Sequence, residues 1–203
     1  MLSIKISGGI VEYLPLQIPI KNKKCVVIGA GKVSLKRTRR LLNCGAEVLV
    51  VSPKIGDAFQ SLEGNLTVIE DKYKREYIEN AFIVAACTGD KRVNKEIYED
   101  GLEIGAIVYT ADEMRPESVV FPAVIERESV IVSLSSTGSY PLLTRYLKDE
   151  IESVIPDFMD EKFIKRLSKY RREMIENIPD EEERKKKLKD FLNNLIAAGE
   201  KHE

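Results

Sequence analysis

At 203 residues, with 32 Lys and Arg against 33 Asp and Glu and a formal net charge of -1, the chain has room for one full domain and an appendage. It lacks the basic excess of a dedicated nucleic-acid binder, and a composition 43% hydrophobic and 32% charged predicts a soluble globular protein. Apolar runs as short as Cys25-Val26-Val27-Ile28 exclude a membrane-spanning helix, and Met1-Leu2-Ser3-Ile4-Lys5 is no secretion signal, so a cytoplasmic location is expected.

Lys24 to Ile28 is a run rich in β-branched residues that enters Gly29-Ala30-Gly31, and a basic amphipathic segment follows to about Asn43. Gly45-Ala46 ends that predicted helix, and Val48-Leu49-Val50-Val51 reads as a second strand stopped by Ser52-Pro53. Strand, glycine turn, helix and strand in this succession make a βαβ unit with a parallel pair. A polar segment from Asp57 to Gly64 precedes a short strand at Leu66-Thr67-Val68-Ile69, and Tyr77 to Asn80 reads as a helical turn before a buried strand over 81–86. Helical spacing from Asp90 to Gly101 and a strand at Ile107-Val108-Tyr109 carry the alternation to about residue 112. The pattern predicts an α/β fold with a Rossmann-type doubly wound parallel sheet.

The pattern then changes. Ser118 to Ile125 and Val130 to Leu134 are extended runs joined by the polar turn Glu126-Arg127-Glu128-Ser129, an antiparallel hairpin. Pro122 lies inside the first run, which marks an edge or bulged strand, and a second copy of the chain is one way to cover such an edge. From Pro141 the spacing of Leu142, Leu143, Tyr146, Leu147, Ile151 and Val154 is helical. The charged tail from Glu161 places Phe163, Ile164, Leu167, Tyr170, Met174 and Ile175 on one face, predicting a small C-terminal helical domain. Its run from Glu181 to Lys187 reads as a solvated helix face with i,i+4 pairs.

The rare residues narrow the chemistry. Cys25, Cys44 and Cys87 are odd in number and lack C-x-x-C spacing, so they read as reduced, mostly buried thiols, not a disulfide or zinc framework. The only histidine is His202, at the end of the charged tail, which excludes a Ser-His-Asp triad, a Cys-His pair and a His-based metal site. No resident metal is expected, and proton transfer falls to a carboxylate, Lys, Tyr or Cys.

Gly29-Ala30-Gly31-Lys32-Val33-Ser34 matches G-x-G-x-x-[GAS] directly after a strand and opening a helix, the setting of a dinucleotide-binding turn. Gly29 permits the tight turn, and Gly31 lets backbone approach a pyrophosphate at the helix N-terminus. The second strand ends in Ser52-Pro53-Lys54 instead of the usual acid. Ser52 can bond a ribose and Lys54 can attract a 2'-phosphate, so the pattern leaves NAD and NADP both open. The basic helix positions Lys36, Arg37, Arg39 and Arg40 read either as a solvated face or as a positive rim for an anionic ligand.

Several separated segments together resemble the precorrin-2 dehydrogenase family, the dehydrogenase part of siroheme synthase. They are Tyr13-Leu14-Pro15-Leu16, the run from Gly29 to Arg37, and Ala85-Ala86-Cys87-Thr88-Gly89-Asp90 with Asn94 beyond. Asp112, Phe121-Pro122-Ala123, Arg127 and the run from Ser135 to Pro141 complete them, over roughly residues 13–155. The resemblance implies NAD-dependent oxidation of precorrin-2, a tetrapyrrole, to sirohydrochlorin. It also implies a three-part build: a nucleotide-binding Rossmann domain (1–112), a dimerisation region (113–142) and a helical domain (143–203). A homodimer follows, with no nucleic-acid or membrane partner.

By position, the resemblance makes Asp112 the essential acid, at the carboxyl end of the last Rossmann strand, where ligands of open α/β sheets sit. It makes Ser136 a substrate-pocket residue, with Ser139 read as a helix cap, and Lys32, Val33, Pro53 and Lys54 dinucleotide contacts. Thr88 faces the cofactor, while Lys36, Arg37 and Arg127 are expected in a basic cleft for the carboxylates of the substrate. The chain departs from the family at Tyr109-Thr110-Ala111 before the acid, where Asn-Val-Val is usual, at Ser34, where Ala is usual, and in the extension over residues 1–12. Two other readings stay open: a bifunctional enzyme that also inserts ferrous iron, and a non-catalytic NAD-sensing module that leaves Asp112 and the hairpin without a role.

Overall fold

The structure is a computed structural model and describes residues 13–113, 115–128, 130–136 and 140–199. The extension over 1–12, Ser129, Thr137 to Ser139 and His202 lie outside the described residues. The chain divides into two compact units between Phe121 and Pro122.

The first unit is built on five parallel strands: β1 (Lys24–Ile28), β2 (Glu47–Val51), β3 (Leu66–Ile69), β4 (Ile83–Ala86) and β5 (Ile107–Thr110). Their order is β3-β2-β1-β4-β5, as expected for a Rossmann-type sheet. β1 is the innermost strand because both of its faces are covered. Val27 and Cys25 pack with Leu41 and Leu42 of α1 (Lys32–Asn43), while Val26 and Ile28 pack with Ile97 of α2 (Lys91–Glu103). A strand buried on both faces needs no polar alternation, which is why 25–28 read as one apolar run. Gly45, at φ +76°, ends α1 in the left-handed region and turns the chain into β2. Asp90 caps α2, its carboxylate accepting from the Arg92 N–H at 2.8 Å. The segments expected as a polar stretch and a helical turn hold short 3-10 turns, Asp57–Phe59 and Arg75–Ile78.

The second unit opens with an antiparallel hairpin, β6 (Ala123–Arg127) and β7 (Val130–Leu134), in which Arg127 pairs with Val130. The hairpin begins later than the sequence suggests. Residues 118–121 are tied instead to the first unit: the Val119 N–H donates to the Val108 carbonyl, and the Ser118 hydroxyl donates to that of Arg115. Pro122, with no N–H to give a ladder, stands just before the strand, and Glu128, at φ +52°, makes the turn. Three helices follow: α3 (Pro141–Ser153), α4 (Glu161–Asn177) and α5 (Glu181–Gly199). Tyr170 of α4 stacks on Phe191 of α5 at 3.9 Å, and Phe163 and Leu195 are buried. The charged face of α5 carries the expected i,i+4 pairs, Lys185 to Glu181 and Lys187 to Glu183. No side chain of α3 is fully buried. Among the described residues no helix is long and apolar enough to cross a membrane.

Candidate functional site

In an open parallel sheet a ligand lies beyond the carboxyl ends of the strands, where the order reverses. Here that point lies between β1 and β4, and a cavity of about 500 Å³ opens there. Gly29, Gly31, Ser52, Pro53 and Thr88 all line it, so five of the residues singled out from the sequence share one space. Lys32, Val33 and Lys54 are exposed and stand outside its lining.

The glycine turn divides its labour. Gly29, at φ +107°, donates its N–H to the Val51 carbonyl at 2.8 Å, and a Cβ there would lie 2.4 Å from the Cys87 carbonyl oxygen. Gly31 has ordinary backbone angles, and a Cβ there would meet nothing within 4 Å. The fold therefore requires glycine at 29 but not at 31, where the missing side chain leaves room for an approaching ligand. Gly31 is also the cap position of α1, so no side chain covers the N–H groups of the first turn, and that turn carries no acidic residue. Uncovered N–H groups at a helix start suit a pyrophosphate. Ser34, buried completely, donates its hydroxyl to the Gly29 carbonyl, so the departure from Ala adds a bond that ties the helix to the turn.

The loop after β4 is held from within. Asn94 of α2, fully buried, accepts the Thr88 N–H at 3.0 Å and lies 2.7 Å from the Thr88 hydroxyl. Its amide nitrogen donates to the Thr88 carbonyl at 3.1 Å. Thr88 thus lines the cavity while its polar groups turn to Asn94. The far wall was not legible as part of a site: Tyr73, between β3 and β4, lines the cavity and donates its hydroxyl to Asp100 of α2 at 2.7 Å. Burial, with that hydrogen bond second, pushes the Tyr73 hydroxyl well above its usual range. Arg75 braces the same Asp100 at 3.2 Å.

Asp112 lies in the bend after β5, beyond the same edge of the sheet, with its side chain 11% exposed. Its Oδ2 faces the guanidinium of Arg115 at 3.4 Å, and its Oδ1 is buried without a hydrogen-bond partner among the described residues. Cys87 lines the cavity, and its thiol is pushed up to about 12, chiefly by burial; the positive charge of Arg37 opposes the rise and the carboxylate of Asp112 adds to it.

Arg37 does not belong to the solvated face read from the basic helix. It is half-buried and donates to the Tyr109 hydroxyl at 3.0 Å, with its guanidinium carbon 4.6 Å from the ring centres of both Tyr109 and Phe121. That explains one departure before the acid: Tyr109 serves Arg37. Lys36 is exposed. In the second unit, Arg127 is exposed on β6 and lines a separate hollow with Glu152, while the Ser136 hydroxyl accepts the Tyr140 N–H at 3.2 Å. Tyr140 holds the cap position of α3. Among the described residues, no group of three or more His, Cys, Asp or Glu is placed to hold a metal.

A family model described as "Putative NAD(P)-binding" matches residues 16–123. The siroheme synthase of Photobacterium profundum is 29% identical over 150 residues, covering 73% of this chain and 32% of its own length. That of Nitrosococcus oceani is 32% identical over 147 residues, covering 71% and 31%, and that of Zymomonas mobilis is 27% identical over 188 residues, covering 92% and 40%. The chain thus spans well under half the length of these curated relatives. Among solved structures, one described as "SirC, precorrin-2 dehydrogenase" superposes with a TM-score of 0.73 at 21% identity, covering 93% of this chain and 100% of its own, a likeness of fold.

Proposed function

The chain belongs to the NAD(P)-binding family whose model covers residues 16–123, and on that premise we propose that it is an NAD-dependent precorrin-2 dehydrogenase of siroheme biosynthesis. The siroheme synthase relatives and the precorrin-2 dehydrogenase fold support the substrate. The observation that carries the reading is the place of Asp112: a nearly buried carboxylate with one unbonded oxygen, beyond the carboxyl edge of a nucleotide-binding sheet. A sensing module would have no use for it.

Oxidation of precorrin-2 to sirohydrochlorin removes a hydride and a proton. When bound, NAD supplies the hydride acceptor. The uncovered first turn of α1 and the space at Gly31 receive the pyrophosphate, and Asn94 keeps the Thr88 loop in place beside it. Asp112 takes the proton, a role that falls to a carboxylate where histidine is absent from the described site. Lys36, Arg127 and Ser136 are assigned to the carboxylates of the tetrapyrrole. The division at residues 112 and 142, the cytoplasmic location and a homodimer belong to the same proposal. Support for the dimer comes from the exposed apolar side chains of α3 and from Val130 and Ile131 on the hairpin.

The test is an anaerobic assay with enzymatically generated precorrin-2, comparing the native chain with Asp112→Ala and NAD with NADP. NADH formation that disappears in the variant, while nucleotide binding survives, is the expected result. Nucleotide binding with no turnover by either cofactor overturns the reading. Ferrous iron added to the product shows, by a siroheme spectrum, whether the same chain also inserts metal.

A further inference from the structure

We propose that Arg115 is the positioning residue for Asp112: its guanidinium holds the carboxylate by Oδ2 and so fixes the orientation in which the base meets the substrate. The inference rests on the reading of Asp112 as the base and names the side chain that sets how that base behaves.

Arg115 is as buried as the residue it serves, 12% exposed against 11%. It is fixed by more than the ion pair. Its guanidinium carbon lies 5.5 Å from the ring centre of Tyr98 on α2. Its N–H donates to the Ser118 hydroxyl at 3.0 Å, and that hydroxyl donates back to the Arg115 carbonyl at 2.9 Å. At the other end of the loop the Thr110 hydroxyl donates to the Glu113 carbonyl. Thr110 with Glu113, and Arg115 with Ser118, are therefore clamped without help from the charges. Asp112 and Arg115 face each other because the loop presents them so.

One guanidinium serves two carboxylates. Nη2 of Arg115 lies 3.4 Å from Asp112 and only 2.9 Å from Oε1 of Glu113, whose side chain is 49% exposed. The contact with Glu113 alone would anchor Arg115, so the looser contact with the nearly buried Asp112 is the surplus with a chemical consequence. A nearby positive charge favours the ionised form of a carboxylate, and a second negative charge opposes it. Arg115 and Glu113 therefore place opposite charges beside the base. The other titratable or charged groups near it are the Cys87 thiol at the end of β4, Arg37 of α1, which acts on that thiol, and Tyr98 beneath the guanidinium.

The test is the pH dependence of kcat and kcat/KM for precorrin-2 in the full chain, for Arg115→Met, Arg115→Lys, Glu113→Gln and Asp112→Asn. Arg115→Met should move the acid limb of the profile upward and, by loosening the carboxylate, lower kcat near neutrality about tenfold. The KM for NAD should hold within about twofold. Arg115→Lys should recover part of the loss, and Glu113→Gln, at an exposed position that cannot unfold the loop, should move the limb downward. Profiles that stay put in both Arg115→Met and Glu113→Gln, or that move the same way in both, overturn the inference. Turnover retained in Asp112→Asn overturns the reading of the base and this inference with it. Turnover lost there, with unmoved profiles in the other variants, overturns the role of Arg115 alone.

Discussion

Gly29 is wedged against Cys87, so that a Cβ on the glycine would come within 2.4 Å of the cysteine carbonyl oxygen. The two residues directly follow the neighbouring strands β1 and β4, and both line the cavity. Gly31, two residues on, has free space where its side chain would be. The two glycines should therefore fail differently. Gly29→Ala combines a left-handed backbone with a clash against main chain and should cost about 2–5 kcal/mol, seen as a lower unfolding midpoint. Gly31→Val should cost about 1 kcal/mol at most, the loss of a favourable cap residue. It should nevertheless weaken NAD binding at least tenfold in a calorimetric titration, since its side chain fills the space the pyrophosphate needs. Equal stability losses in both variants would contradict this division.

Asn94 and Thr88 make the second relationship that positions the cavity. Asn94 satisfies the N–H and carbonyl of Thr88 from a fully buried position. Asn94→Ala leaves those groups without partners, and a buried unpaired polar group costs about 1–3 kcal/mol. The variant should be destabilised by about 2–4 kcal/mol. In the assay its KM for NAD should rise more than its kcat falls, because the loop lines the cavity proposed for the nucleotide.

What the sequence made legible follows from range. The glycine turn, its strand and its helix are contiguous, so the spacing of 24–43 suffices to read them. The parallel order follows from buried runs too apolar to be one-sided strands. The packing of Arg37 was not legible because its partners, Tyr109 and Phe121, lie 72 and 84 positions away, and helical periodicity shows only that a residue is on a face, not what meets it. Tyr73 was missed for the same reason: its anchor, Asp100, sits on another element. The start of the hairpin was misplaced because an extended run of Val and Phe looks alike whether it pairs in a ladder or lies along β5 by the single Val119 to Val108 bond.

The exposed side of α3 gives a prediction for assembly. Leu142 is 69% exposed and Leu147 41%, on a helix with no fully buried side chain. The proposed two-fold dimer would cover this apolar surface, and a charge placed there is desolvated only if the dimer forms. The double variant Leu142→Glu, Leu147→Glu should sediment as a monomer while still binding NAD. Dimers that persist in it would place the interface elsewhere.

The three thiols differ enough to be read one by one. Cys44 is exposed, and Cys25 and Cys87 are buried. Burial pushes Cys25 up to about 11 and Cys87 up to about 12, so neither offers a thiolate near neutrality, and the thiolate is the reactive form. A thiol reagent at pH 8 should therefore label one cysteine quickly, and Cys44→Ser should abolish that phase. The same shifts set a pH window for stability. In the unfolded chain both thiols ionise near 9, whereas the folded chain keeps them protonated to higher pH. Their contribution to stability is thus complete below about pH 9 and is lost as the pH rises from there toward 12. The urea midpoint should fall between pH 8 and pH 10.5, and less steeply in Cys25→Val, Cys87→Ala, which has no buried thiol left to ionise on unfolding. An identical slope in that variant would assign the loss to the tyrosines and lysines instead.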